Sequence, residues 1–203
     1  YVVLETRKNG LPQLLQIDKK SKRKTYIKFK DPSYDAYLSS NQNYESKFFK
    51  FAYSSLKTPT TIYSQKFLSR KKEKLWEQKF NAFKETNYVT KRIFIRARDG
   101  KKIPISLIYK KGINLSEAPL LMYGYGSYGL VIEPSFKLSF MPLVDFGFIF
   151  AIAHIRGGQD MGRDWYDQGR LLNKMNTFYD FIDCTKGLHD RHLGNIKKTF
   201  AMG

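Results

Sequence analysis

The chain has 203 residues, and its 36 lysines and arginines against 18 aspartates and glutamates give a formal net charge of +18. Hydrophobic residues make up 42% and aromatic residues 16%, enough to bury a core, which excludes a disordered tail. No stretch approaches the roughly 18 consecutive apolar residues that cross a bilayer, and the single cysteine, Cys184, excludes an internal disulfide and a cysteine-based zinc site.

The positive charge is concentrated in residues 19–30 and 66–92. The first segment falls where a turn between two strands is predicted, and the second includes glutamates, as a solvated helical or loop surface does. Strongly basic chains often bind nucleic acid, but no helix-turn-helix, zinc finger or pair of aromatic stacking strands is recognisable. We predict generic surface charge and no nucleic-acid partner. A basic interaction module that binds acidic partners through residues 19–30 stays open as an alternative.

The expected location follows from the same composition. With one cysteine and no apolar stretch of membrane-spanning length, we expect a reducing compartment, the cytoplasm, and no membrane partner. We also predict that the protein uses no metal and no cofactor.

Residues 1–86 are predicted to form short strands. The dipeptide Asn9-Gly10 separates two apolar stretches and favours a two-residue hairpin turn, because both positions tolerate positive φ. Further strands are predicted around residues 25–29, 48–53 and 61–64. Strands at this spacing are typical of a sandwich, a barrel or propeller blades. The predicted strands are enough for only two blades, which cannot close a propeller. We therefore expect residues 1–86 to be an incomplete part of that domain.

The pattern changes near residue 86. Alternating apolar residues on both sides of Asp99-Gly100 predict a hairpin. Two near-continuous apolar runs follow at residues 120–123 and 146–155, and such runs indicate strands buried on both faces of a sheet covered by helices.

A helix and a last strand complete the predicted elements. Apolar residues at helical spacing predict a helix over residues 177–188, which Thr177 and Asp180 would begin as a capping box. Residues 199–202 predict one more buried strand. The order hairpin, strand, strand, helix, strand is typical of the first half of an α/β sheet domain.

Two glycine-rich segments follow the buried strands. Residues 123–129 read Tyr-Gly-Tyr-Gly-Ser-Tyr-Gly and lack the endings of a phosphate-binding loop. A structural turn in which glycine supplies positive φ is the simpler interpretation of that spacing. The second segment, residues 154–162, reads His-Ile-Arg-Gly-Gly-Gln-Asp-Met-Gly and is followed by Trp165 and by Lys-Met-Asn-Thr-Phe at residues 174–178.

Together these segments resemble the peptidase signatures of the prolyl oligopeptidase family of serine peptidases: Tyr-Gly-Tyr-Gly, then Arg-Gly-Gly, then Trp and a Lys-x-Asn-x-Phe helix entry. The resemblance is nearest to the oligopeptidase B (protease II) group. Residues 51–59, Phe-Ala-Tyr-Ser-Ser-Leu-Lys-Thr-Pro, are similar to that group's last propeller blade. The similarity extends over nearly the whole chain.

The resemblance implies a seven-bladed β-propeller that caps an α/β-hydrolase domain and a hydrolase that cleaves short peptides after Arg or Lys. We therefore expect residues 1–86 to be C-terminal propeller blades and residues 87–203 to be the start of the peptidase domain, both incomplete. Short basic peptides are the expected substrates of the complete protein.

The resemblance also implies roles for three residues. Tyr125 matches the tyrosine that donates its hydroxyl to the oxyanion, and packing alone is the alternative. Tyr128 matches an aromatic wall of the specificity pocket, and a core aromatic is the alternative. Glu133 matches the first of two acidic residues that favour a second basic residue in the substrate, whereas Ser135 occupies the second position. That departure weakens the inference, and a plain surface carboxylate is the alternative for Glu133.

Other polar residues are expected to be structural. Arg156 and Asp160 are interpreted as scaffold, an ion pair that fixes the loop after the strand. The three histidines, His154, His189 and His192, match no catalytic position.

The catalytic triad is not expected within this sequence. The hydrolase fold places its nucleophile in G-x-S-x-G after a strand, and Gly203 would be the first glycine of that motif. The serine is then expected two positions beyond, followed by the Asp and the His, so the chain alone is predicted to be inactive. A non-catalytic, degraded remnant is the alternative.

Overall fold

The computed structural model describes residues 1–81 and 83–203, and its first sheet is a three-stranded antiparallel one. It consists of β1 (Val2–Lys8), β2 (Leu11–Ile17) and β3 (Lys24–Tyr26), in that order. Lys8 pairs with Leu11, so Asn9 and Gly10 form a two-residue turn. Their φ angles of 51° and 77° are those that this turn requires. The predicted hairpin is confirmed.

A second antiparallel sheet contains four strands in sequential order. They are β4 (Asp35–Leu38), β5 (Phe48–Ser54), β6 (Thr61–Lys66) and β7 (Lys72–Glu77). The helical or loop surface predicted for residues 66–92 is therefore wrong for β7, which pairs with β6. Its lysines and glutamates lie along the edge of the sheet, where charged side chains oppose pairing with another chain.

An aromatic cluster forms the core of these two sheets. Phe51 is completely buried, and Phe29 stacks on Tyr53 with ring centroids 5.1 Å apart. Leu14 of β2 is buried in the same cluster, so the two sheets share one core.

The third sheet is mixed and contains five strands. They are β8 (Tyr88–Arg96), β9 (Lys102–Lys110), β10 (Leu120–Tyr123), β11 (Ile149–Ala153) and β12 (Thr199–Met202), in the order β12-β10-β11-β9-β8. β10 is parallel to both β11 and β12, whereas β9 is antiparallel to β8 and β11. The predicted hairpin and the predicted buried strands β10 and β11 are confirmed. The strand predicted at residues 199–202 is present as β12, but it lies at the edge of the sheet and is largely exposed, so its predicted burial is wrong.

Apolar clusters cover both faces of the third sheet. On one face Cys184 and Leu188 of helix α3 (Met175–His189) pack on residues that include Ile105 and Met122. On the other, residues of helix α1 (Met141–Asp145) pack on Leu121 and Phe150. This two-sided burial is the physical reason for the continuous apolar runs. Helix α2 (Arg163–Asp167) is a single short turn, and none of the helices in the described ranges is long and apolar enough to cross a membrane.

The predicted start of the long helix is wrong. The helix begins at Met175, two residues before Thr177, so Thr177 and Asp180 form no capping box. The Thr177 hydroxyl instead donates to the carbonyl oxygens of Arg156 and Gly169, at 2.8 and 3.1 Å. Asp180 binds Arg156. Both side chains therefore satisfy groups of a neighbouring loop rather than the end of their own helix.

Candidate functional site

The Tyr-Gly-Tyr-Gly loop lies at the carboxyl ends of the parallel strands. Tyr123, the last residue of β10, pairs with Ile152 of β11 and Met202 of β12. The Gly124 amide then donates to the Met202 carbonyl at 3.1 Å. The carboxyl ends of parallel strands are where open α/β sheets bind their ligands, so this loop stands where a functional site is expected.

Close glycine packing joins the two glycine-rich segments. Gly126 and Gly157 have φ angles of 57° and 97°, and a Cβ added at Gly157 would overlap the Gly126 carbonyl. The Gly129 amide donates to the Gly157 carbonyl at 3.0 Å. The two loops therefore pack backbone against backbone, which explains why glycine occurs in both.

Replacing Gly157 by alanine should lower the free energy of unfolding by about 3 kcal/mol, because the new methyl group overlaps backbone that cannot move aside. Gly147→Ala is the matched control, since Gly147 has a φ of 93° but open space around it. Urea unfolding of both variants separates the packing cost from the backbone strain. Equal losses would contradict the packing argument.

Tyr125 is half-buried and lines an open cavity of about 310 Å³. The other walls come from helix α3, from the end of β12 and from the neighbouring loops, and include Phe178, Phe181, Ile182 and Met202. Within residues 1–81 and 83–203 the Tyr125 hydroxyl forms no hydrogen bond. A half-buried phenol that borders a cavity can donate its proton to a bound molecule.

Tyr128 is 83% exposed, so the core-aromatic alternative is wrong. Its φ of 57° lies in the left-handed region, which is unusual for a bulky residue. The turn that imposes this angle is closed by the Leu130 amide, which donates to the Ser127 carbonyl at 3.1 Å. The ring is thus held on the surface of the loop, free to contact another molecule.

Glu133 is held by an arginine from the first strand. Both terminal nitrogens of Arg7 donate to its carboxylate, and one of them also donates to the Gly10 carbonyl at 3.1 Å. Burial and then the Glu133 charge raise the pKa of the nearby Asp35 to about 6. Glu133 is therefore a half-buried member of an ion pair with Arg7, and its role in substrate binding stays a prediction.

Arg156 and Asp160 do not pair with each other, so that expectation is wrong. Arg156, only 2% exposed, donates to both carboxylate oxygens of Asp180, at 2.8 and 2.6 Å. Its remaining terminal nitrogen donates to Asp99 at 2.5 Å. Partial burial opposes ionisation of Asp99, but the Arg156 hydrogen bond, the Arg156 charge and backbone hydrogen bonds together outweigh it and lower the pKa of that carboxyl. Asp160 binds His154 instead.

A buried serine, histidine and aspartate share the hydrogen-bond order of a catalytic triad. The Ser106 hydroxyl lies 2.7 Å from His154 Nε2, and His154 Nδ1 lies 2.8 Å from Asp160. Ser106 is completely buried and is also hydrogen-bonded to Ser33 and to Arg92. Because no substrate can reach that hydroxyl, we interpret the group as structural, as expected for His154.

Sequence reasoning missed Lys174, which holds the Tyr-Gly-Tyr-Gly loop. Its ammonium donates to the Gly126 carbonyl and to the Ser127 hydroxyl, each at 2.7 Å. The sequence signal that could have identified Lys174 is its place as the first residue of the Lys-x-Asn-x-Phe motif at the start of the helix.

No group of three or more His, Cys, Asp or Glu in the described part of the chain could hold a metal ion.

Two family models match the chain. "Prolyl oligopeptidase, N-terminal beta-propeller domain" matches residues 1–78, and "Prolyl oligopeptidase family" matches residues 134–203.

Relatives of known name match over the full chain. Dipeptidyl aminopeptidase BI of Pseudoxanthomonas mexicana is 38% identical over 205 residues, and Protease 2 of Moraxella lacunata is 32% identical over 204. In both cases the match covers 100% of this chain but only 28% and 29% of the relative. The chain thus spans less than a third of the length of these relatives.

Solved structures agree with the sequence relatives. Oligopeptidase B from Leishmania major is 33% identical with a TM-score of 0.87, covering 98% of this chain and 29% of that one. Oligopeptidase B from Trypanosoma brucei, in a closed form with covalently bound antipain, is 37% identical with the same TM-score, covering 98% and 30%.

Proposed function

Because the chain belongs to the prolyl oligopeptidase family, we propose that it is part of a serine peptidase that hydrolyses short peptides after arginine or lysine through an acyl-enzyme. The similarity to proteins named oligopeptidase B supports the basic substrate class. The chain combines strands of an N-terminal β-propeller with the start of the peptidase domain. We place the boundary between them at residues 86 and 87, and the protein in the cytoplasm.

The position of Tyr125 is the observation that carries the proposal. Its half-buried ring borders the cavity at the carboxyl ends of β10 and β12, and its hydroxyl has no partner within the described ranges. We assign this hydroxyl to the oxyanion. Negative charge develops on the substrate oxygen only as the tetrahedral intermediate forms, so a phenol donor aimed there stabilises the transition state more than the ground state. One such donor contributes about 3 kcal/mol.

Tyr128 is assigned to the wall of the specificity pocket. Its exposed ring can pack along the methylenes of a substrate arginine or lysine and attract the charged group, a contribution of about 0.5–2 kcal/mol.

We assign Glu133 to substrate binding, but its ion pair with Arg7 restricts its ability to bind a second basic residue of the substrate. Arg7 already occupies its carboxylate, and a serine stands at position 135. A second basic residue in the substrate would therefore have to displace Arg7, and we propose that the preference for paired basic residues is weak.

The triad is assigned to parts of the protein outside this chain. No G-x-S-x-G occurs in the 203 residues, and covalent catalysis requires a nucleophile. We propose that this segment supplies the oxyanion and pocket elements, that it is inactive alone, and that Arg156 and Asp160 act as scaffold.

Cleavage by the full-length protein tests the substrate class. In matched short peptides that differ only in the residue before the scissile bond, we expect kcat/KM for Arg and Lys to exceed that for Pro or Leu by about 100-fold. A pocket that pairs with a basic group rejects a residue without one, because its own polar groups are then left unpaired. Tyr128→Leu should raise KM for the Arg peptide by about 3- to 30-fold. Equal cleavage after Pro would contradict the proposal.

A further inference from the structure

The Tyr-Gly-Tyr-Gly loop adopts a conformation that needs support from outside. Three of its residues have positive φ: Gly126, Tyr128 and Gly129. For Tyr128 this angle is unfavourable by itself, and such a conformation persists only where the surrounding structure holds it. The candidate oxyanion donor Tyr125 lies directly beside the first of these positions.

Lys174 supplies that support at the centre of the loop. Its ammonium group binds the Gly126 carbonyl and the Ser127 hydroxyl, each at 2.7 Å, so it holds both residues that separate Tyr125 from Tyr128. Thr177 adds a weaker contact to the same carbonyl, at 3.4 Å. The orientation of the Gly126–Ser127 peptide group is therefore set by a side chain from another element.

The location of Lys174 is unfavourable for its own helix. It is the N-cap residue of α3, where the helix dipole disfavours a cation and where Ser, Thr, Asp and Asn are preferred. The first turn that follows, Met-Asn-Thr, carries no acidic residue to offset the charge. Burial lowers the pKa of Lys174, and both of its hydrogen-bond acceptors are uncharged. A lysine here destabilises its own helix, where its ammonium contacts the Phe178 ring at 5.7 Å, and among the described residues its hydrogen-bond acceptors lie in the loop.

We infer that Lys174 is a positioning residue that fixes the Tyr-Gly-Tyr-Gly loop and thereby aims the Tyr125 hydroxyl at the oxyanion. This inference rests on the proposed function of Tyr125. Lys174 acts through the loop and touches no reacting atom.

The kinetic test is a double-variant cycle in the full-length protein. Lys174→Met should lower kcat by about 10- to 100-fold while KM changes less than about threefold, because a displacement of about 1 Å is enough to lose that much rate. In the Tyr125→Phe background the same change should lower kcat by less than about twofold, since the donor is already absent. Lys174→Arg should recover most of the rate by donating to the same two acceptors.

Lys186→Met is the matched control. It removes the same charge from the exposed last turn of α3 and should leave kcat unchanged. Amide hydrogen exchange over residues 123–130 gives a reading that is independent of activity. Exchange should become faster in Lys174→Met and stay unchanged in Lys186→Met.

The outcomes separate this inference from the proposed function. If Tyr125→Phe lowers kcat but Lys174→Met changes neither kcat nor exchange, the inference fails and the role of Tyr125 stands. If Lys174→Met lowers kcat equally with and without the Tyr125 hydroxyl, Lys174 acts by another route and the inference is overturned. If Tyr125→Phe leaves kcat unchanged, the oxyanion assignment fails, and the inference fails with it.

Discussion

Replacing Tyr125 by phenylalanine should lower kcat of the full-length peptidase by about 100- to 1000-fold, the loss measured when one oxyanion donor is removed elsewhere. The ring stays in place against the cavity, so the packing of the loop should not change. KM should change little, because the hydroxyl bonds to charge that exists only in the transition state. Steady-state kinetics on an Arg peptide measures both parameters.

A second tyrosine provides the control for this result. Tyr179→Phe removes a hydroxyl from helix α3 outside the cavity, where the ring is stacked under Arg98 at 4.1 Å. It should leave kcat unchanged. A loss in Tyr125→Phe that appears in KM instead of kcat would mean that the hydroxyl binds the ground state, and the oxyanion assignment would have to be abandoned.

Replacing Asp180 by alanine should lower the free energy of unfolding by about 3–5 kcal/mol, which is typical when one partner of a buried ion pair is removed. Arg156 is almost fully buried, and Asp180 accepts from two nitrogens of its guanidinium and from its backbone amide. Asp99, which is partly exposed, would remain as the only carboxylate bound to Arg156 within the described residues. Urea unfolding of the full-length protein measures the loss.

Two further variants show whether the buried charge is the cause. Asp183→Ala, three residues along the same helix, breaks an ion pair with the exposed Arg98. It should lower the free energy of unfolding clearly less than Asp180→Ala does. Replacing both buried partners with apolar residues, as in Arg156→Met with Asp180→Leu, should recover much of the loss because no fully buried charge is left unpaired. Asp99 also loses Arg156 in this variant, but its carboxylate is partly exposed to water. If the double variant is as unstable as Asp180→Ala, loss of packing and not the unpaired charge is responsible.

Much of the fold could be predicted because the relevant signals are local. Asn9-Gly10 and Asp99-Gly100 mark tight turns through the backbone angles that they tolerate, and both hairpins are present. The runs at residues 120–123 and 146–155 are continuous because helices cover both faces of their sheet. β7 was missed because an edge strand needs few apolar residues, so its charged sequence carries no strand pattern.

The polar contacts could not be predicted, since their partners are far apart along the chain. Arg156 binds the carboxylates of Asp99 and Asp180, which are 57 and 24 residues away along the chain. It does not bind Asp160, which is only four positions from it. Thr177 and Asp180 have the residue types of a helix cap, yet tertiary partners take both side chains. The position of the Tyr125 loop followed from strand order, but Lys174, 48 residues from the carbonyl that it binds, did not.

The buried hydrogen bonds around Ser106 make motion between the two parts of the chain cooperative. Ser33 and Asn9, from loops between the propeller strands, bind Ser106 and Arg92 of the β8–β9 hairpin. Burial lowers the pKa of Arg92 to about 10, which shows that its guanidinium is largely removed from water. A separation of the two parts would remove the Asn9 and Ser33 partners of Arg92 and the Ser33 partner of Ser106 together, and each lost bond to a buried group is unfavourable. The two parts should therefore separate as an all-or-none event, with closed and open populations and few states between them.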